Sequence, residues 1–505
     1  MFDDLIASVR SALRTLRPSG SLTAQTVKSG IWSVGANVGT RALQTVTTVV
    51  LAAILGPQEF GLMGYTLLTY SGLRRFSRLG IDRALVHHPT ENVDEYMDTA
   101  FAIQLLRGAV LAVALYLSAP LFASFFTEPR ITPLLRVIAV SPLLVALYNP
   151  NIVYFEKNLD IHKKFVFDMS GAGVRFVVTV GLALTLGNVW ALVFGYIAAD
   201  AVRLVVSYWL HSYRPRLSVD MEQVRELVGY GKWITATSAV GFLLLSGDDA
   251  VVGWLLSTAA LGYYQLGYRL GKTPTMEVSR SLSTVAFPVY SRLQDDSRAL
   301  ADAMNRTVRM LSFVSFPAAV GIVITAPAFV PGVLGSQWLP SVVVMQLAAV
   351  YGAFSALTSA FNDLWNAIGR PDYTTKINVL RLLVTGVLIY PATTEFGIRG
   401  AVAVMAGVFV VLIVPVKFYV AVESVEADYR AVLMNVLYPA TTSAVMAAAL
   451  LGVQRAVEFG SPVVEFVCLV PVGILVYLGA TIGVEAHSAW GIRNDLRAAI
   501  SAVRG

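Results

Sequence analysis

The chain contains a diverged copy of part of itself, and this internal duplication limits the folds that it can adopt. Residues 28–62 align without a gap on residues 229–263, 201 positions later. The identical pairs include Gly30 and Gly231, Trp32 and Trp233, Leu55 and Leu256, and Gly61 and Gly262. A second match, at an offset of 210, places residues 187–191 on residues 397–401. A membrane chain made of two homologous halves usually works by moving them about a shared site, so the duplication points to a transporter.

Composition shows that the bilayer is the solvent for most of the chain. Apolar residues make up 56% of the sequence and charged residues 14%, and the mean hydropathy is +0.65. Soluble domains carry about 25% charged residues, so an all-α integral membrane protein is expected. About fourteen segments are long and apolar enough to cross a bilayer as helices. They are Ile31–Leu55, Gly61–Leu79, Thr99–Phe122, Ile131–Ile152, Phe165–Leu186, Val189–Leu210, Trp233–Leu256, Ala260–Val285, Val308–Val330, Val342–Ile368, Ile377–Ala392, Ile398–Val420, Val432–Val453 and Val463–Val484.

The connections between these spans predict the orientation of the chain. Nearly all Lys and Arg residues outside the spans fall in the termini and the even-numbered loops, whereas the odd-numbered loops hold only Arg130 and Arg455. The positive-inside rule therefore places both termini in the cytoplasm, in a multi-pass protein of the cell membrane. The predicted divisions are a cytoplasmic N-terminal segment 1–28, an N-lobe 29–213, a linker 214–228, a C-lobe 229–422, two extra helices in 430–485 and a cytoplasmic tail 486–505.

The N-terminal segment has its own pattern, with apolar residues at helical spacing and arginines on the other faces. It is expected to lie on the inner leaflet as a basic amphipathic helix, and a solvated helix without a membrane role is the alternative. Cys468 is the single cysteine, so an intrachain disulfide and a cysteine metal cluster are both excluded. No metal site and no cofactor are predicted.

Several basic residues lie two to three turns inside apolar spans, where each costs roughly 2.5–3.5 kcal/mol to insert. They are Arg41, Arg107, Arg175, Arg269, Lys272 and Arg381. Guanidinium groups stay charged when desolvated and bind phosphate in a bidentate manner, so the set predicts a cationic, substrate-binding cavity for an anion. The alternative is that each residue pairs with Asp or with backbone carbonyls between helices. Acidic residues at comparable depth, with a coupling or pairing role, are Asp248, Asp249 and Glu277.

Local motifs add a resemblance to a known family. The run Leu51–Leu62 resembles a "RLLGPEDFG" segment, and Arg78–Val86 resembles a "DLGL…ALI" pattern. The stretches Asp248–Gly253 and Ala367–Pro371 match the repeat as well. With these residues, the chain resembles the Wzx-type lipid-linked oligosaccharide flippases of the multidrug/oligosaccharidyl-lipid/polysaccharide exporter superfamily. The sequence departs from the family pattern at Arg74 and Arg75, where an apolar helix is expected.

The resemblance implies two homologous six-helix lobes arranged as a V around a central cavity, with two further C-terminal helices. It also implies a secondary transporter that flips a polyprenyl phosphate or diphosphate oligosaccharide to the outer leaflet by alternating access, for surface polysaccharide biosynthesis. H+ or Na+ would be the coupling ion, and membrane lipids, a glycan polymerase or a glycosyltransferase would be partners.

Other functions remain open at this point. Within the same superfamily they are a peptidoglycan lipid-precursor flippase and a drug/cation antiporter, although a cationic cavity argues against the antiporter. A membrane glycosyltransferase or polymerase needs a large loop outside the membrane, whereas the first outer loop is little more than Gly56–Phe60. The chain is therefore predicted not to be an enzyme. The net charge of +6 comes mostly from the cytoplasmic loops, and no nucleic-acid partner is predicted.

Overall fold

The computed structural model describes residues 39–77, 94–158, 160–488, 490–495 and 497. The predicted N-terminal amphipathic segment and the Arg78–Val86 motif lie outside these residues. The described chain consists of helices and short connections, without a strand, and this confirms the all-α class. The helices are α1 (residues 39–54), α2 (Pro57–Phe76), α3 (Asp94–Phe125), α4 (Ile131–Ile138), α5 (Val140–Ala146), α6 (Val153–Lys157), α7 (Ile161–Leu186), α8 (Trp190–Leu210), α9 (Met221–Leu255), α10 (Thr258–Arg292), α11 (Ser297–Phe329), α12 (Ser341–Leu357), α13 (Ser359–Ala367), α14 (Pro371–Gly407), α15 (Val414–Ser424), α16 (Tyr429–Ala456) and α17 (Pro462–His487).

Within the described part of the chain, eight helical segments are long and apolar enough to cross a membrane. One of them, Pro371–Ser424, has 54 residues and contains α14, a π-helical stretch Val408–Ile413 and α15. A straight helix of that length would measure about 80 Å, far more than a bilayer needs. The segment therefore holds more than one crossing, and the number fourteen stays a prediction.

Gly397 breaks this long segment. Its φ of 59° and ψ of −142° lie outside the helical region, in a part of the map that is essentially restricted to glycine. Three residues later, Gly400 packs directly on the backbone carbonyl of Ala392. In a straight helix these two residues would be about 12 Å apart along the axis. The chain therefore turns back sharply at Gly397, at the boundary between the two spans predicted for this region.

The chain divides into two compact units, residues 1–246 and 247–505. The predicted C-lobe begins at residue 229, also within α9, whereas this division falls later in the same helix, between residues 246 and 247. Side-chain contacts explain the position: the Phe242 ring lies 5.8 Å from the Phe76 ring of α2, and Asp248 hydrogen-bonds to Tyr264 of α10. Helix α9 therefore contributes its earlier part to the first unit and its last two turns to the second.

Small residues let the helices of the second unit pack closely. At Gly271 of α10, an added Cβ would collide with the backbone carbonyl of Met345 on α12. Gly352 of α12 meets the Thr275 side chain of α10 in the same way. This close packing of α10 on α12 brings the polar residues of the two helices together, as described below.

The segment that follows α17 returns to α11. Trp490 is 1% exposed, and its ring packs against Phe313 of α11 and Tyr438 of α16. Arg309 of α11 forms a salt bridge of 2.9 Å with Asp495 and donates a hydrogen bond to the carbonyl of Trp490. The described part of the predicted cytoplasmic tail is therefore folded onto the second unit.

Candidate functional site

The first unit contains a buried hydrogen-bond network centred on Asp200 of α8, which is 5% exposed. Ser141 of α5 donates to its Oδ2, and the Tyr148 hydroxyl donates to its Oδ1 over 3.2 Å. The Tyr70 hydroxyl of α2 lies 3.2 Å from Ser141 Oγ. Ser141 lies next to an interruption of the helix between α4 and α5. The local sequence accounts for this interruption, because Pro142 has no backbone N–H to donate to the carbonyl of Ile138.

Three arginines border this network. The Arg175 guanidinium of α7 lies 4.9 Å from the centre of the Tyr196 ring of α8, and that ring packs edge-on against Tyr70. Arg203 lies 3.8 Å from Asp200, and the absence of a side chain at Gly171 leaves room for it. Arg74 of α2 is within electrostatic reach of Tyr70, Tyr196 and Asp200. One carboxylate therefore stands among three guanidinium groups, which leaves a surplus of positive charge.

The predicted cation Arg107 has a different role from these three. The Arg107 side chain of α3 donates to Ser77 Oγ and to the carbonyl of Arg74, at 3.4 and 3.2 Å. It thus binds the C-terminal end of α2, where a cation interacts favourably with the helix dipole. Arg41 is half-buried in α1. Arg107 therefore fits the alternative role, in which an intramembrane arginine joins two helices.

In the second unit the predicted acidic residues have different surroundings. Asp248 is buried, and its Oδ2 accepts a hydrogen bond of 2.7 Å from the Tyr264 hydroxyl. Asp249 lies beside the Gln265 side chain. Glu277 forms a salt bridge of 2.9 Å with Arg280 one turn further along α10. Asp248 and Asp249 therefore belong to the interior of the unit, whereas Glu277 lies at its surface in a local ion pair.

Lys272 and Arg381 meet around a shared aromatic ring, although they are far apart in sequence. Lys272 Nζ lies 4.8 Å from the centre of the Tyr351 ring, and the Arg381 guanidinium lies 5.4 Å from the same centre. Arg381 also lies 5.2 Å from the centre of the Phe409 ring and is 8% exposed. Arg269, one turn before Lys272, is exposed. The structure thus joins two of the three cations predicted on these helices.

Sequence reasoning missed Lys417, which is 4% exposed. Its Nζ donates a hydrogen bond of 2.9 Å to Asn362 Oδ1 and lies 6.0 Å from the centre of the Phe409 ring. Its signal was present, since Lys417 falls inside the predicted span Ile398–Val420. Arg203 was missed in the same way inside Val189–Leu210. Arg74, which headgroup snorkelling would also explain, instead borders the Asp200 network.

Both units can therefore attract an anion. In each unit, some basic side chains contact aromatic rings and not carboxylates. Among the residues that the structure describes, Arg175, Lys272, Arg381 and Lys417 form no salt bridge with a carboxylate. Their partners are aromatic faces, the Tyr351 hydroxyl beside Arg381 and an amide oxygen, which stabilise a cation without neutralising it. In the same part of the chain, no group of three His, Cys, Asp or Glu residues is placed to hold a metal ion.

Comparison with known sequences relates the chain to polysaccharide biosynthesis. The family profile described as "Polysaccharide biosynthesis protein" matches residues 50–343. The lipopolysaccharide biosynthesis protein WzxC of Escherichia coli is 26% identical over 425 residues, which cover 83% of this chain and 85% of WzxC. The teichuronic acid biosynthesis protein TuaB of Bacillus subtilis is 22% identical over 409 residues, 79% of this chain and 83% of TuaB. These relatives confirm the resemblance to Wzx-type exporters.

A solved structure with the same fold is that of the lipid II flippase MurJ in an inward closed conformation. The likeness has a TM-score of 0.74 at 14% identity and covers 89% of this chain and 98% of MurJ. The shared fold and the apolar helices show a multi-pass membrane protein.

Proposed function

Since this chain belongs to the family of polysaccharide biosynthesis proteins, we propose that it is a secondary transporter of lipid-linked oligosaccharides. It moves an oligosaccharide carried on a polyprenyl phosphate or diphosphate from the cytoplasmic to the outer leaflet, for the synthesis of a surface glycan. The finer topology belongs to this proposal: fourteen spans, two homologous six-helix lobes followed by two helices, and both termini in the cytoplasm of a cell that carries the protein in its plasma membrane.

The observation that carries the proposal is the state of the intramembrane cations. A buried cation with a purely structural role is normally paired, because an unpaired charge is costly in a medium of low dielectric constant. Arg175 instead lies on the Tyr196 ring face and keeps its five N–H donors for other partners. A phosphate that loses its hydration shell in the membrane can regain hydrogen bonds and charge compensation from such a group.

The proposed transport cycle follows from this arrangement. The phosphorylated headgroup binds to the cationic residues from the cytoplasmic side while the lipid tail stays in the bilayer. Alternating access then opens the protein to the other side, where water competes for the phosphate and the headgroup leaves. H+ or Na+ is the proposed coupling ion, with Asp248 or Asp249 as the acidic residue concerned. Association with a glycan polymerase or glycosyltransferase stays a prediction.

The test uses two arginines that make nearly the same aromatic contact in different places. Arg175 lies 4.9 Å from the Tyr196 ring centre, and Arg136 lies 5.0 Å from the Tyr116 ring centre but is exposed. We expect Arg175→Ala to abolish surface glycan at an unchanged protein level, with lipid-linked oligosaccharide accumulating on the cytoplasmic leaflet. Arg136→Ala should export normally. Normal surface glycan in the Arg175→Ala strain would contradict the proposal.

Depletion of the protein from cells separates the alternatives. The accumulating lipid identifies the cargo: a peptidoglycan precursor would indicate a precursor flippase, and a surface-glycan intermediate would support the proposal. Accumulation of a lipid-free cation in cells that lack the protein would indicate a drug/cation antiporter. Transfer of sugar by the purified protein would indicate a glycosyltransferase or polymerase.

A further inference from the structure

A long apolar groove runs between the two arms of the helical hairpin that turns back at Gly397. Its volume is about 700 Å³. Side chains spaced four residues apart line it, so one face of each arm is turned toward the other. They are Val384, Leu388, Ala392 and Phe396 on the first arm, and Ala403 and Gly407 on the second.

The groove is about as long as one leaflet of a bilayer is thick. From Val384 to Phe396 the first arm rises about 18 Å, and the hydrocarbon of one leaflet, half of the bilayer core, is about 15 Å thick. Two of the lining residues, Phe396 and Val411, are exposed, so the groove is open to its surroundings. Apolar side chains in such a position are favourable beside hydrocarbon and unfavourable beside water. A hydrocarbon chain that lies parallel to the helices therefore fits the groove in length and in chemistry.

Arg399 gives one end of the groove a positive charge. It lies two residues after the turn at Gly397, is exposed, and has the only polar side chain among the described residues that line the groove. In the described part of the chain it forms no salt bridge, even with Glu395 on the other side of the turn. The groove therefore ends in a guanidinium group that can donate hydrogen bonds to an anion.

The second arm leaves space in the groove at Gly407. A Cβ added there would meet nothing within 4 Å, and the π-helical stretch Val408–Ile413 begins at the next residue. A large side chain at this position would occupy space that the groove leaves empty.

We propose that this groove is a binding site for a membrane phospholipid, with one acyl chain between the arms of the hairpin and the headgroup phosphate on Arg399. A phospholipid carries its phosphate at the end of its acyl chains, and Arg399 has the same position relative to the apolar lining. A helix of a second copy of this chain would also fill the groove, but it would cover the charge of Arg399, which is costly unless that helix supplies an anion.

The site goes beyond the proposed function, because its ligand is a lipid of the bilayer and not the cargo. In the proposed topology the turn at Gly397 lies on the outer side of the membrane, so the lipid belongs to the outer leaflet. Binding to the groove does not depend on transport and is measured separately from it.

The test measures lipid binding to the purified full-length protein in detergent, by mass spectrometry of the intact protein–lipid complex. Three probes separate the chemical groups. Dioleoylphosphatidylglycerol has both the acyl chains and the phosphate, and dioleoylglycerol has the same chains without a phosphate. Farnesyl phosphate is a prenyl phosphate, like the lipid part of the proposed cargo.

Two central variants change the groove, and each has a matched control. Arg399→Gln removes the charge, and its control is Arg455→Gln, at an exposed arginine that is predicted on the same side of the membrane and does not line the groove. Gly407→Leu fills the groove. Its control is Gly386→Leu on the first arm of the hairpin, where an added Cβ also meets nothing within 4 Å but does not line the groove.

We expect each central variant to weaken binding of phosphatidylglycerol by about tenfold or more, Arg399→Gln through the loss of charge-assisted hydrogen bonds and Gly407→Leu through displacement of the acyl chain. Both controls should bind like the unmodified protein. Dioleoylglycerol should bind the unmodified protein more weakly than phosphatidylglycerol does. Phosphatidylglycerol should also raise the melting temperature of the unmodified protein more than that of either central variant, because a ligand of the folded state stabilises it.

The site is overturned if both central variants bind phosphatidylglycerol like the unmodified protein, or if dioleoylglycerol binds as tightly. Tighter binding of farnesyl phosphate that is lost in the same variants would assign the groove to the cargo and overturn the proposal. A dimer in gel filtration that Gly407→Leu dissociates would assign it to a second copy of the chain, with the same consequence. If Gly407→Leu does not fold, the comparison of Arg399→Gln with Arg455→Gln decides alone.

Discussion

The Tyr264 hydroxyl donates a hydrogen bond of 2.7 Å to Oδ2 of Asp248, and this bond joins α9 to α10 inside the second unit. Both side chains are buried. A buried carboxylate that loses its donor pays a desolvation penalty, which is typically about 1–3 kcal/mol or more for a charged group. We expect Tyr264→Phe to lower the free energy of unfolding by about that amount, measured by thermal unfolding of the purified protein.

The neighbouring residue provides the control for that prediction. The Tyr263 ring packs edge-on against Trp338, and its hydroxyl takes no part in the bond to Asp248. Tyr263→Phe should therefore unfold at nearly the temperature of the unmodified protein. Equal melting temperatures for the two variants would show that the bond contributes nothing to stability.

A second prediction concerns the close packing of α10 on α12. A Cβ at Gly271 would collide with the carbonyl of Met345, and backbone cannot move aside as a flexible side chain can. Gly271→Ala should therefore separate the two helices, lower the melting temperature and reduce glycan export. The matched control is Gly321→Ala in α11, where a Cβ meets nothing within 4 Å. Its better helix propensity should stabilise the protein by roughly 0.5–1 kcal/mol, and similar losses in both variants would refute the prediction.

A third prediction concerns the reversal at Gly397. Its φ of 59° strains any residue with a Cβ, at a cost of about 1–3 kcal/mol. Gly397→Ala should accordingly lower the yield of folded protein, measured by fluorescence-detected gel filtration of detergent extracts. Gly386→Ala, in the first arm of the same helix and with open space at its Cβ, should leave the yield unchanged or higher. A normal profile for Gly397→Ala would show that the turn tolerates a side chain.

A fourth prediction concerns the segment after α17. Trp490 is almost fully buried, and truncation of a buried Trp typically costs about 3–5 kcal/mol. Trp490→Ala should therefore destabilise the second unit strongly in thermal unfolding. Trp209 of α8 is 73% exposed, so Trp209→Ala should have a much smaller effect. Equal melting temperatures for the two variants would show that the packing of Trp490 does not contribute to stability.

The sequence indicated how far each charged residue lies from the ends of its helix, but not which neighbouring helix its side chain faces. Arg107 and Arg175 lie at similar depth in apolar spans, yet Arg107 binds the end of α2 and Arg175 faces the Asp200 network. Apolar length predicts a span, because hydrocarbon requires one. The direction of a side chain depends on which helices pack together, and one sequence alone does not show this.

Several residues of the two polar clusters were not singled out by any sequence pattern. Ser141 and Tyr351 are 210 positions apart, the offset of the second internal match. Ser141 donates to Asp200 in the first unit, and the Tyr351 ring contacts Lys272 and Arg381 in the second. Lys417 and Arg203 lie inside predicted spans as well, but their importance follows from partners that come from other helices. Such partners are distant in sequence and are brought together by folding.

The contact between Arg309 and the segment around Trp490 joins residues 181 positions apart. During translation, Arg309 is inserted long before its partners have left the ribosome, and until then its guanidinium lacks the Asp495 carboxylate and the Trp490 carbonyl. A polypeptide that ends prematurely leaves this charge, and the ring faces of Phe313 and Tyr438, uncovered beside the membrane.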